Sequence, residues 1–229
     1  MKFGVVTFPG SNCDQDMIYV LEDLMGQEVE RLWHKDTDLK GVDFVVLPGG
    51  FSYGDYLRSG AIAKLSPIML EVIKHANNGG YVLGVCNGFQ ILTESGLLEG
   101  ALLHNNNQKF VCKNIYLKPI SDQSGITKGL QMDRSYQIPI AHGEGRYYAK
   151  QDVIDRLESN GQVLFKYCSA DGEISLEQNP NGSISNIAGI CNENRNVFGM
   201  MPHPERAADQ ELANIDGKAM FESILNHCN

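Results

Sequence analysis

One stretch constrains what this chain can fold into more than any other: Tyr81-Val82-Leu83-Gly84-Val85-Cys86-Asn87-Gly88-Phe89-Gln90. Residues 81–85 are largely apolar and read as a buried strand, and Asn87 to Glu94 reads as the start of a helix. Cys86 sits at the join, bracketed by Gly84 and Gly88 in the pattern Gly-x-Cys-x-Gly. This is the spacing of a nucleophile elbow, with sulfur in place of the serine oxygen. A sharp strand-to-helix turn crowds its neighbours, and glycine on either side removes the side chains that clash. The turn lifts the thiol out of the sheet and sets it beside a helix N-terminus, where free N–H groups attract negative charge. A cysteine in an apolar run is otherwise a small buried hydrophobe. What favours the nucleophile lies far downstream, at His203 and Glu205.

The elbow belongs to an alternating pattern. Phe3 to Phe8, Glu28 to Trp33 and Asp43 to Leu47 read as strands, and the last is almost wholly apolar, as a central parallel strand is. Asp14 to Met25 carries Ile18, Leu21, Leu24 and Met25 on one helical face and stops at Gly26. Ala61 to Ala76 reads as a helix with a break at Pro67. Strand and helix in alternation argue for a parallel sheet covered on both faces. The functional crevice of such a sheet lies at the carboxyl ends of its strands. The loops after Leu47 and after Val85 both sit there.

The second half changes character. His104 to Ser121, Ser135 to Ala141, Val163 to Cys168, Ser183 to Cys191 and Asn196 to Met201 read as strands, with helices over Asp152 to Asn160 and Asp216 to Cys228. One domain over residues 1–229, with a smaller antiparallel insertion, is the simplest account.

Charge narrows the partners. Nineteen Lys and Arg against 28 Asp and Glu give a net charge of -9, which repels phosphate backbones and anionic membranes, so neither nucleic acid nor membrane is expected. No apolar run approaches the roughly 18 residues of a membrane helix. The first apolar run is cut at Pro9-Gly10, too short for a signal-peptide core. The six cysteines form no Cys-x-x-Cys pair, so no metal site and no disulfide framework is expected, and the expected compartment is the cytoplasm.

The last strand runs into Met201-Pro202-His203-Pro204-Glu205. Proline after His203 favours an extended backbone, in which residues two apart point the same way. His203 and Glu205 then lean toward one site as a base and its orienting carboxylate. A surface turn is the alternative. The backbone N–H of Asn87 is one natural oxyanion donor, and the Pro48-Gly49-Gly50 loop supplies another, because glycine lets backbone approach a substrate; an ordinary strand-end turn is the alternative for that loop.

These residues carry a resemblance. Gly84-Val85-Cys86-Asn87-Gly88-Phe89-Gln90 with His203-Pro204-Glu205 resembles the triad-type (class I) glutamine amidotransferases. Three more segments resemble, more narrowly, the glutaminase components of phosphoribosylformylglycinamidine synthase. They are Phe8-Pro9-Gly10-Ser11-Asn12-Cys13-Asp14, the run from Pro48 to Gly60, and Ala141-His142-Gly143-Glu144-Gly145-Arg146. The resemblance implies an α/β fold of the flavodoxin-like three-layer sandwich type, its central sheet mostly parallel. It implies that Cys86 attacks the amide of glutamine, His203 moves the proton, Glu205 orients His203, and Gly50 and Asn87 hold the oxyanion. Gln90 and His142 are expected to contact substrate. His142 and Glu144 form either an acid–base pair or a loop near substrate or partner, and Arg58 either serves an interface or is a solvated charge. The ammonia is expected to pass to a synthetase subunit, with a small accessory subunit, that converts formylglycinamide ribonucleotide to the amidine in purine synthesis. ATP and magnesium are expected on that partner and no cofactor on this chain, which has no Gly-x-x-x-x-Gly-Lys-[Ser/Thr] loop. A cysteine hydrolase or stress-type protein of related fold, and a non-catalytic interaction module, are the alternatives.

Overall fold

Apolar strands alternating with amphipathic helices build the first half of the molecule. The computed structural model describes residues 1–228. β1 (Lys2–Thr7) leads into α1 (Asp14–Tyr19), whose end widens into a π-type turn over Val20–Leu24 before Gly26 turns the chain away at φ +63°. β2 (Glu28–Trp33), β3 (Phe44–Leu47), α2 (Pro67–Asn77), β4 (Tyr81–Val85) and α3 (Asn87–Glu94) follow. The expected break at Pro67 is present: a 3-10 turn over Ala63–Leu65 ends at Ser66, and Pro67 opens α2. Proline lacks the N–H that a helix interior needs, but its fixed φ suits the first turn.

The second half comprises β5 (Ala101–Leu103), β6 (Val111–Pro119), β7 (Tyr136–His142), β8 (Arg146–Tyr148), α4 (Gln151–Ser159), β9 (Val163–Cys168), β10 (Ile187–Cys191), β11 (Val197–Met200) and α5 (Lys218–His227). Two expected strands start late. His104–Phe110 is a loop, because the Asn105 amide donates to Lys109 O at 2.8 Å and Asn107 Oδ1 accepts from Lys109 N at 2.9 Å. Such side-chain-to-backbone bonds compete with a sheet ladder. For the same reason β10 begins at Ile187 rather than Ser183: Asn179 Oδ1 accepts from the N–H groups of Gly182 and Ser183.

A nine-stranded sheet runs in the order β2-β1-β3-β4-β11-β10-β9-β6-β7. β2, β1, β3, β4 and β11 are parallel, and every pairing beyond β11 is antiparallel. The antiparallel part therefore extends the central sheet, and only the β5–β8 ribbon stands apart from it. From β1 the chain steps first to β2 and then back across to β3, so the order reverses beside β1. Right-handed crossovers then place α1 and α2 on opposite faces. The reversal opens a crevice at the carboxyl ends of β1, β3 and β4. Phe3, Phe44 and Phe198 are buried on β1, β3 and β11, Phe44 packing 5.2 Å from Phe3 and 6.3 Å from Phe198 between ring centroids. Each such ring contributes about 2 kcal/mol of transfer free energy to the sheet that carries the crevice.

Candidate active site

Cys86 stands at the carboxyl end of β4 with φ +52° and ψ -105°, a conformation L residues avoid. It persists because the surroundings over-determine it. Its N–H donates to Met200 O at 2.8 Å and its carbonyl accepts from Gln90 N at 3.1 Å. The bracketing glycines do what their spacing requires. A Cβ on Gly88 lies 1.9 Å from Leu47 O, and one on Gly84 lies 2.6 Å from the Gly88 carbonyl carbon. Neither fits, so glycine alone lets α3 press onto β3 and β4.

The histidine arrives from β11. His203 N–H donates to Pro139 O of β7 at 2.9 Å. This ties the last turn to the far edge strand, which folds back over the crevice and leaves Ala141 O 3.7 Å from Cys86 Sγ. The expected extended segment is in fact a 3-10 turn over Pro204–Ala207, so the alternation of an extended strand is not what aligns Glu205. The tight turn does so instead: His203 Nδ1 lies 2.6 Å from Glu205 Oε1. Both residues are at most 2% exposed, so water does not screen the pair. Burial alone pushes the His203 imidazole down. The Glu205 carboxylate, with Cys86 and Cys13, outweighs this and holds it well above its ordinary value. The other ring nitrogen, Nε2, has no hydrogen-bond partner and remains free to carry a proton.

Two residues of the site escaped sequence reasoning. Cys13, buried, and Arg206 line a cavity of about 110 Å³ together with Cys86, His203 and Gly50. Arg206 Nη2 donates to Cys13 Sγ at 3.2 Å while its Nε donates to Asp16 at 3.0 Å. The signal for Cys13 lay in its own segment, Asn12-Cys13-Asp14, at the carboxyl end of β1. Cys13, His203 and Glu205 each place a ligand-type atom within 4.8 Å of the others. Glu205 Oε1 is already spent on His203, and the Arg206 guanidinium sits against the thiol, so the set favours proton transfer over a cation.

Gly50 takes φ +149°, and its Cβ position lies 2.8 Å from Ser11 Cα. It pairs with Ser11 through Phe51 N to Gly10 O (2.9 Å) and Cys13 N to Gly49 O (3.3 Å), neither of which uses the Gly50 N–H. Asn87 opens α3, and its side chain bridges the loop: Oδ1 accepts from Ser52 N at 3.1 Å and Nδ2 donates to Gln90 Oε1 at 2.8 Å. Gln90 also donates to Glu144 O at 2.6 Å, so both ends of its amide brace the site from within. A second cavity of about 150 Å³ adjoins Cys86 and Gly50 and is lined by Gln90, His142 and Glu144 as well. His142 and Glu144 are not paired. His142 Nδ1 lies 3.1 Å from Asn105 Oδ1, and Glu144 reaches Ser59 N and His104. Burial, then the charge of His203, pushes His142 down to about 4, so it is a neutral imidazole. Arg58 makes a two-pronged ion pair with Glu94 at 2.6 and 2.8 Å, and Arg146 donates to His104 O.

A thiol, a buried imidazole and a carboxylate brought together at the strand ends suit acyl transfer through a thioester. The comparisons with known proteins agree. A model of the CobB/CobQ-like glutamine amidotransferase domain matches residues 1–225. The chain belongs to that family. It is 57% identical to the phosphoribosylformylglycinamidine synthase subunit PurQ of Synechocystis sp., covering 97% of this chain and 99% of that one. It is 52% identical to the PurQ subunit of Acaryochloris marina, over 99% and 96% of the two chains. The solved structure of PurLQS from Thermotoga maritima contains a chain of 42% identity that superposes with a TM-score of 0.87, covering 100% of this chain and 99% of that one. The amidotransferase is thus of PurQ type, with the expected α/β fold. No helix among its described residues is long and apolar enough to cross a membrane.

Proposed function

We propose that this amidotransferase is the glutaminase subunit of phosphoribosylformylglycinamidine synthase and that Cys86, His203 and Glu205 carry its chemistry. The observation that carries the reading is His203, buried between the elbow thiol and Glu205 in a chain of PurQ type. The Cys86 sulfur attacks the carboxamide carbon of glutamine as its proton passes to His203. The negative oxygen that forms is met by the N–H groups of Gly50 and Asn87, and one such donor is worth roughly 100-fold in rate. His203 then protonates the leaving nitrogen, which departs as ammonia. Water, deprotonated by His203, hydrolyses the glutamyl thioester and frees Cys86. Glu205 keeps Nδ1 of His203 engaged, so that Nε2 is the atom that trades the proton.

The ammonia passes to a synthetase subunit that converts formylglycinamide ribonucleotide to formylglycinamidine ribonucleotide in the cytoplasm, in company with a small accessory subunit. ATP and magnesium belong to the synthetase, and this chain supplies one amidotransferase domain without a cofactor. The relatives are named as subunits of that synthase, and the Thermotoga structure is of a PurLQS assembly, which supports the partnership. The test measures glutamate released by the chain with and without the synthetase, the accessory subunit and nucleotide, against amidine formed. Stimulation by the partners, with glutamate and amidine in equal amounts, is the expected result. Equal rates with no complex on a sizing column refute the coupling and return the chain to a stand-alone hydrolase.

A further inference from the structure

The cavity of about 150 Å³ beside Cys86 is lined by two carboxylates, Asp55 and Glu144, and by no lysine or arginine. Asp55 Oδ1 is cut off from water and has no hydrogen-bond partner. Burial, reinforced by the charge of Glu144 and partly offset by a hydrogen bond from Ser59, pushes the Asp55 carboxyl up to about 6. Glu144 Oε2 accepts from Ser59 N at 3.3 Å, and its Oε1 lies 3.3 Å from Nε2 of His104, an imidazole that is 67% exposed. The loop's own cation, Arg58, is turned away onto Glu94. A further polar group lines the same cavity without a partner: His142 is 3% exposed and its Nε2 is unpaired. Half-buried carboxylates held close together and an orphaned, buried imidazole are costly unless something fills the space between them. A group that carries one positive charge and several N–H donors fits the deficit.

We propose that Asp55 and Glu144 form the subsite for the α-ammonium group of the amino acid whose carboxamide Cys86 attacks. This rests on the glutaminase reading and adds what selects glutamine among amides. Cys86 and Gly50 line the same cavity as the two carboxylates, so one amino acid places its carboxamide at the thiol and its ammonium between Asp55 and Glu144. The ammonium then supplies the missing positive charge between the two carboxylates. An amide with no such group leaves the carboxylates unpaired and binds poorly, because a site built for a polar group rejects the analogue that lacks it.

The test uses the chain assembled with its synthetase and compares kcat/KM for glutamine with that for glutaramate, which has the same chain and carboxamide but no α-amino group. Asp55→Asn and Glu144→Gln are each expected to lower kcat/KM for glutamine roughly 10- to 100-fold, mostly through KM, the usual worth of a hydrogen bond to a charged group. Turnover of glutaramate by the same variants is expected to stay within about threefold of the parent, which also shows that the site is intact. Asp55→Glu is expected to restore part of the lost discrimination. Equal losses on both substrates mean that the carboxylates only shape the loop, and overturn the subsite. So does a parent enzyme that treats glutamine and glutaramate alike. No glutamine turnover by the parent assembly strikes the glutaminase reading itself, a different failure from the other two.

Discussion

His203 Nδ1 lies 2.6 Å from Glu205 Oε1, with both side chains sealed from water. The contact fixes which ring nitrogen is left for chemistry. It predicts a ranking: His203→Ala loses about 100- to 10,000-fold in glutamine turnover, as expected for a general base. Glu205→Gln loses less, because an amide still accepts a hydrogen bond but no longer balances an imidazolium. His142→Ala, whose ring is held neutral, loses least. Steady-state kcat with unchanged far-UV circular dichroism measures the ranking, and near-normal turnover by His203→Ala contradicts the triad.

Cys86 and Cys13 share a cavity, yet only Cys86 sits on the elbow. Cys86→Ala is expected to abolish glutamine hydrolysis while the assembled synthetase still uses ammonium salt. Cys13→Ser keeps an acceptor for Arg206 and is expected to retain activity within about tenfold, in the range of one lost ordinary hydrogen bond. Cys112, Cys168, Cys191 and Cys228 line neither cavity and tolerate serine in the same assay. Rapid labelling of Cys86 by a glutamine-mimicking electrophile, blocked by glutamine, is the independent check.

Gly88 has no room for a methyl group, since the added carbon lies 1.9 Å from Leu47 O. That neighbour is backbone in a fully buried strand and does not swing aside. Gly88→Ala is therefore expected to destabilise the fold by about 3 kcal/mol or more, the upper range for overpacking. A urea midpoint equal to that of the parent sinks this account of the elbow.

Two groups of the site make stability depend on pH in opposite senses. His142 titrates at about 4 in the folded chain, so between its ordinary value and about 4 only the unfolded chain takes the proton. Its contribution is present at neutral pH and fades as pH falls, at up to about 1.4 kcal/mol per unit. Asp55 is raised to about 6, so its contribution is present at low pH and is lost as pH rises through about 6. Its partial exposure makes that contribution smaller than the same shift implies for a sealed group. Urea unfolding between pH 4.5 and 7 checks both. His142→Gln is expected to remove a rise in stability with pH, and Asp55→Asn to remove a fall. Parallel curves for parent and variants contradict the assignment.

The sequence alone determined the elbow, because its signals are local. A strand's apolar run, a turn's glycines and a thiol between them are written within ten residues, and steric exclusion at Gly84 and Gly88 admits few alternatives. It also placed His203 and Glu205 together, though for the wrong backbone: proline spacing suggested an extended segment, and a 3-10 turn makes the contact. The tertiary structure decided what stands opposite. Ala141 reaches Cys86 because an antiparallel edge strand folds back over the crevice, Arg206 meets Cys13 from the other end of the chain, and Asp55 and Glu144 line one cavity. Periodicity reports the face a residue presents and says nothing of which distant segment that face meets. That choice comes from the packing of the whole sheet, where sterics and charge are settled between residues far apart in sequence.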